Sequence, residues 1–248
     1  MDVTRRELLR AAVGLGAGLA GTGVLVARAA AGEPTGSPAQ QGLQACQPAG
    51  DPLQHLLVGN RRFAKAWQEA ARTADLQTRR RLFAGLTQGE CFLDPQALAG
   101  GQKPWVAVLT CADSRVAPEL LFGVTPGEMF DVRSAGNTAF DAGIASLEYA
   151  VAELGVPLIV VMGHSGCGAV KAAMASDPLT PLLDALVQPI RAVVQPGDSL
   201  SQAIRSNALA VARQIPGRSA VLQTAQRTGA LRIQPLYFDV ATGLVSAL

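Results

Sequence analysis

The residues best suited to chemistry in this sequence fall in two short polar stretches, each at the end of an apolar run. Cys111, Asp113 and Arg115 follow "WVAVLT" (105–110), and His164 and Cys167 follow "PLIVVMG" (157–163). Two Cys and one His supply three donors of a tetrahedral zinc site and leave its fourth position to water or a carboxylate. Asp113 stands two residues beyond Cys111, close enough to take that position or to hydrogen-bond a water there. Arg115 pairs with Asp113 and decides which it does. Cys167 opens a predicted helix, whose dipole favours thiolate over thiol. Any one of these residues alone reads as core. Five of them at two strand ends do not.

Rival chemistries fit less well. "GHSGC" (163–167) approaches a G-x-S-x-G nucleophile elbow, but Cys167 replaces the second Gly and no His follows position 164. The chain holds only His55 and His164, so a site with three His is impossible. The cysteines lack the C-x-x-C spacing of a redox pair. A purely structural zinc site closes with four Cys or His ligands, and here the fourth is Asp113 or solvent.

The elements that must position these residues alternate between strand and helix. Strands are predicted at 105–110, 128–132 and 157–163, with a short helix at 118–122 and an amphipathic one at 139–154. Further helices are predicted at 167–176, 179–194, 199–214 and 219–228. The chain closes in two strand-like runs around Ala241-Thr242-Gly243. This pattern implies an α/β fold, a mostly parallel sheet flanked by helices. In such sheets ligands bind at the C-terminal ends of the strands, where both polar stretches lie. Residues 52–72 carry Leu53, Leu56, Leu57, Phe63 and Trp67 near helical spacing, which predicts one or two amphipathic helices ahead of the sheet. Arg79-Arg80-Arg81 reads as a solvated helix face.

Charge and composition narrow the function. The chain is 49% apolar and 16% charged, enough to bury a core. Residues 1–31 hold Arg5, Arg6, Arg10 and Arg28 against Asp2 and Glu7, so the formal charge of +2 resides there and the remainder is neutral. A neutral body argues against nucleic acid as a partner. The same segment has a charged start, an uncharged run from Ala11 to Ala27 and A-x-A spacing after it, the layout of an export signal. Arg5-Arg6 with Leu8 and Leu9 resembles a twin-arginine signal, which implies the twin-arginine export machinery as a partner and a periplasmic or secreted destination. An uncleaved membrane anchor is the alternative. Residues 32–50 read as a linker and 51–248 as one catalytic domain. An oxidising destination raises a Cys46–Cys91 disulfide as a hypothesis.

"CADSR" (111–115) together with "GHSGCGAV" (163–170) resembles the metal-binding signature of the β-class carbonic anhydrases. "LLVGNRRF" (56–63) resembles the family's N-terminal arm, and "GVTPGEMFDVRSAGN" (123–137) its second strand and following loop. The resemblance implies that Cys111, His164 and Cys167 ligate Zn2+. It also implies that Asp113 and Arg115 form a catalytic dyad, with Asp113 a fourth ligand only in a closed state. Gln102, Phe130 and Tyr149 match the residues that line the substrate pocket. The implied activity is reversible hydration of CO2 to bicarbonate and a proton, by a homodimer or dimer of dimers whose arms pack on their partners. Hydrolysis of carbonyl sulfide or carbon disulfide, or zinc binding without catalysis, are the alternatives. Ser134 departs from the family's usual Asn.

Overall fold

The computed structural model describes residues 47–86 and 95–248. The segment read as an export signal, Cys46 and Cys91 lie outside the described residues. Among those described, no helix is long and apolar enough to cross a membrane.

The sheet consists of β1 (Val106–Cys111), β2 (Met129–Ser134), β3 (Leu158–His164), β4 (Arg232–Phe238) and β5 (Val245–Ala247) in the order β2-β1-β3-β4-β5. The first four are mutually parallel, and β5 turns back antiparallel on β4. Every residue of β1 and β3 is buried, whereas β2, at an edge, is only partly so. Continuous Val, Leu and Ile runs are what a strand covered on both faces requires.

The covering layers are distinct. On one face Val106, Val108, Val160 and Met162 meet α1 (Pro52–Ala71) through Leu53, Leu56 and Phe63. On the other, Ala107, Leu109, Ile159 and Val161 meet Ile144, Leu147 and Val151 of α5 (Asp141–Ala152) and Val211 and Ile215 of α8 (Leu200–Gly217). Between these lie α2 (Leu76–Ala84), α3 (Pro95–Ala99), α4 (Pro118–Phe122), α6 (Gly168–Met174) and α7 (Pro181–Arg191), and α9 (Ala220–Arg227) follows α8. A fully buried Leu or Phe contributes about 1.5–3 kcal/mol, so the two apolar layers supply most of the driving force for folding.

Both key strands run one residue further than the apolar pattern indicates. Cys111 still pairs with Ser134, and His164 with Phe238. The donor residues are therefore the last residues of strands, held by ladder hydrogen bonds, and not loop residues beyond them.

The arm helix is fixed to its own sheet. α1 begins at a cap in which Asp51 accepts from the Leu53 N–H at 3.0 Å, with Pro52 in the first turn. Its apolar face then packs on its own chain. Buried Asn60 donates to the carbonyls of Gly243 (3.0 Å) and Leu121 (3.4 Å) and accepts from the Val245 N–H (2.8 Å). Beside it Gly59 lies so close to α4 that a Cβ there would sit 1.7 Å from the Phe122 carbonyl oxygen. Phe63 stacks on Trp67 at 5.4 Å, and Phe83 of α2 meets Trp67 edge-on at 6.0 Å. This face of the arm is thus spent on its own subunit.

Candidate metal centre

Cys111 ends β1, His164 ends β3, and Cys167 caps the start of α6. Their donor atoms lie within 4.8 Å of one another, and all three residues are buried. The two sulfurs are 3.9 Å apart. The His164 Nδ1–H donates to the Ser165 carbonyl at 3.1 Å, which leaves the Nε2 lone pair free. Nε2 is fully buried and has no hydrogen-bond partner. An orphaned buried polar atom costs about 1–3 kcal/mol. Here it faces two sulfurs, and two thiols with one imidazole nitrogen are the donor set zinc prefers. The residues fit the metal.

The thiols are not equivalent. The Gly136 N–H donates to the Cys111 sulfur at 3.2 Å. Gly136 can do so because it adopts φ 75°, and because a Cβ there would lie 2.7 Å from Ile190 Cδ1. Asn207 anchors the same turn by donating to the Gly136 carbonyl at 2.8 Å. The Cys111 thiol is pushed down to about 4, first by the hydrogen bond from Cys167, then against burial by His164 and the Gly136 N–H. Cys167 is pushed up by the hydrogen bond it shares with Cys111 and by burial. The Gly136 N–H favours charge on Cys111, the helix start favours it on Cys167, and either sulfur can donate to the other.

Asp113 and Arg115 form a two-pronged ion pair. Arg115 Nε donates to Oδ1 at 2.9 Å and Nη2 to Oδ2 at 2.7 Å, while the Arg115 backbone N–H adds a bond to Oδ1 at 2.9 Å. Nη2 also reaches the Gly166 carbonyl at 3.2 Å, tying the first polar stretch to the second. The Arg115 guanidinium holds the Asp113 carboxyl well below the usual carboxylate range, partial burial opposing it. Asp113 Oδ2 lies 3.8 Å from His164 Nε2, so the carboxylate borders the donor cluster while remaining committed to Arg115.

Gln102, Phe130 and Tyr149 stand elsewhere. Gln102 is exposed and precedes β1. Phe130 pairs across from Ala107, near the start of β1, and its ring lies 6.3 Å from that of Tyr149, which is 48% exposed. Cys111 is at the far end of β1, four residues beyond Ala107 and roughly 13 Å away at about 3.3 Å per residue. One chain does not bring these three residues to its own donors. Two other residues act on the centre without any signal in the sequence analysis: Gly136, through its backbone, and Arg133, described below.

A buried Cys-His-Cys donor set at the C-terminal edge of a parallel sheet defines an α/β protein with a candidate metal centre. Residues 106–245 match the family model for carbonic anhydrase. Over 171 residues the chain is 37% identical to a carbonic anhydrase of Pseudomonas aeruginosa, covering 62% of this chain and 77% of that protein. Over 79 residues it is 56% identical to carbonic anhydrase 2 of Mycobacterium tuberculosis, covering 32% of this chain and 38% of that relative's length. Among solved structures it is similar to tetrameric β-carbonic anhydrases of Sordaria macrospora, with a TM-score of 0.57 and 27% identity over 62% of this chain and 84% of that one. The chain belongs to the carbonic anhydrase family, and its fold is that of the β class.

The thiol protons set the pH dependence of metal uptake. Zinc takes thiolates, so its binding displaces the protons the two thiols hold and weakens as pH falls. Chelator competition between pH 8 and pH 6 reads this dependence. An affinity independent of pH would contradict ligation through Cys111 and Cys167.

Proposed function

We propose that the chain catalyses the reversible hydration of CO2 to bicarbonate and a proton, with zinc held by Cys111, His164 and Cys167. The observation that carries this reading is the partnerless, buried His164 Nε2 facing two sulfurs, beside a carboxylate already claimed by Arg115. Zinc supplies a Lewis acid able to ionise water near neutral pH.

The protein's own groups do the rest. Asp113 Oδ1 accepts two N–H groups of Arg115 and Oδ2 accepts one, so Oδ2, facing His164, keeps a lone pair to accept a hydrogen bond from the attacking water. That bond orients the water's remaining lone pair toward CO2. Val187, Ile190 and Tyr237 pack around the donors and keep bulk solvent from their buried side. A zinc protein without catalysis would use Asp113 as a permanent ligand, and its bonds to Arg115 oppose that role. Stopped-flow CO2 hydration on zinc-loaded protein at pH 8.5 tests the reading. Asp113→Asn is expected to lose about 10²-fold in kcat/KM while retaining its zinc. An inactive parent with one zinc per chain, or equal loss of zinc and activity in the variant, would sink the proposal.

A second copy completes the substrate pocket. Gln102, Phe130 and Tyr149 gather at the sheet end opposite the donors, so they reach a metal only on a neighbouring chain. The tetrameric Sordaria macrospora relatives support an oligomer. Co-expressed Gln102→Ala and Asp113→Asn chains, each weak alone, are expected to recover activity as mixed oligomers, since one of their sites combines an intact Asp113 with an intact Gln102. Mixed oligomers no more active than the two parents would place Gln102 outside the pocket.

Export through the twin-arginine route belongs to the same reading, supported by Arg5-Arg6 and the uncharged run behind them. A centre loaded before translocation keeps its thiols from pairing in an oxidising compartment. Replacing Arg5 and Arg6 by Lys is expected to shift the protein from the periplasmic to the cytoplasmic fraction of a bacterial host. Unchanged fractionation would remove the twin-arginine assignment.

A further inference from the structure

The stretch from Cys111 to Val116 carries a metal donor and both members of the ion pair, yet beyond Cys111 it belongs to no strand or helix. One side chain from outside the stretch grips its backbone. Arg133, on the edge strand β2, donates through Nε (3.2 Å) and Nη2 (3.0 Å) to the Cys111 carbonyl. The same Nη2 donates to the carbonyls of Asp113 at 2.9 Å and Val116 at 2.7 Å.

We propose that Arg133 is a positioning residue for the reaction: by gathering the carbonyls of residues 111, 113 and 116 around one guanidinium, it sets the backbone from which Asp113 meets Arg115 beside the metal donors. This rests on the CO2-hydrating reading above. A guanidinium suits the task, being planar, ionised throughout the working pH range and equipped with several donors in a rigid fork. Its targets are carbonyl oxygens of a bend whose own backbone bonds are few. The Val116 N–H reaches the Asp113 carbonyl at 3.0 Å, and the Ala112 N–H reaches the Ser134 carbonyl at 3.0 Å.

Arg133 touches neither a donor atom nor the Asp113 carboxylate, so its influence passes through the chain. Nor does the sheet require it for assembly. β2 pairs with β1 from Met129↔Val106 to Ser134↔Cys111 through main-chain groups that any side chain at position 133 leaves in place. Arg115 cannot substitute, because its fork is committed to Asp113 and Gly166.

The test uses full-length Arg133→Met, which keeps the side-chain length without donors, and Arg133→Lys, which keeps the charge without the fork. Both are examined as zinc and cobalt forms. Arg133→Met is expected to fold and hold one metal per chain, to lose about 10–100-fold in kcat/KM for CO2 hydration, and to show an altered visible spectrum in its cobalt form. Arg133→Lys is expected to recover part of both. A Met variant within about two-fold of the parent, with an unchanged cobalt spectrum, overturns the proposal. If the Met variant does not fold, the Lys variant decides: a parental rate and spectrum overturn the proposal, and a reduced rate with an altered spectrum support it. Failure of both to fold makes Arg133 a requirement of the fold and overturns the positioning role. A parent inactive toward CO2 would remove the functional reading, while the cobalt spectra of parent and variants still decide whether Arg133 sets the site.

Discussion

Parallel pairing of β1 with β3 is the constraint on which the metal centre depends. Thr110 lies opposite Met162, so Cys111 and His164 end neighbouring strands at one edge of the sheet. A slip of one residue would move one donor about 3.3 Å along its strand, comparable to the whole spread of the donor cluster. The register is secured by burial: both strands are covered on both faces, and a slip would drive their side chains against the wrong layers. The apolar core thus positions the donors before any metal contributes.

Around that edge the polar groups are arranged in successive shells of restraint. Ser165 sets the His164 tautomer, and Gly136 and Cys167 share out the charge of the thiol pair. Arg115 holds the carboxylate, and the Gly166 carbonyl ties that arginine to the second polar stretch. Most of these restraints end on backbone atoms. They therefore depend on the path of the chain more than on the identity of the residue that supplies the carbonyl or the N–H.

That dependence explains what could be read from the sequence. The apolar runs before Cys111 and His164 were legible because a doubly covered strand has few ways to be written, and the donors were legible because their chemistry is tied to residue type. Gly136 and Arg133 were not, since their partners are a sulfur and three carbonyls contributed from 17 to 25 positions away. The short helix at Pro95–Ala99 was missed because its five residues bury a single side chain, Ala97, and so carry no apolar pattern. Gln102 is instructive in another way: its type marked it as a pocket residue by resemblance. Its nine-residue distance from Cys111, laid along a strand, already implies opposite ends of the sheet.

The hold of Arg115 on Asp113 has a consequence for how the centre responds to acid. A carboxyl whose folded pKa is depressed contributes stability above its ordinary value near 4 and loses it only as pH falls through the lower one. From neutrality down to that range the Asp113 charge is therefore constant. The dyad behaves there as a fixed electrostatic boundary of the site and not as a titrating gate. Any change in behaviour between pH 7 and pH 5 must originate in other groups, or in a movement of the chain that parts Asp113 from Arg115.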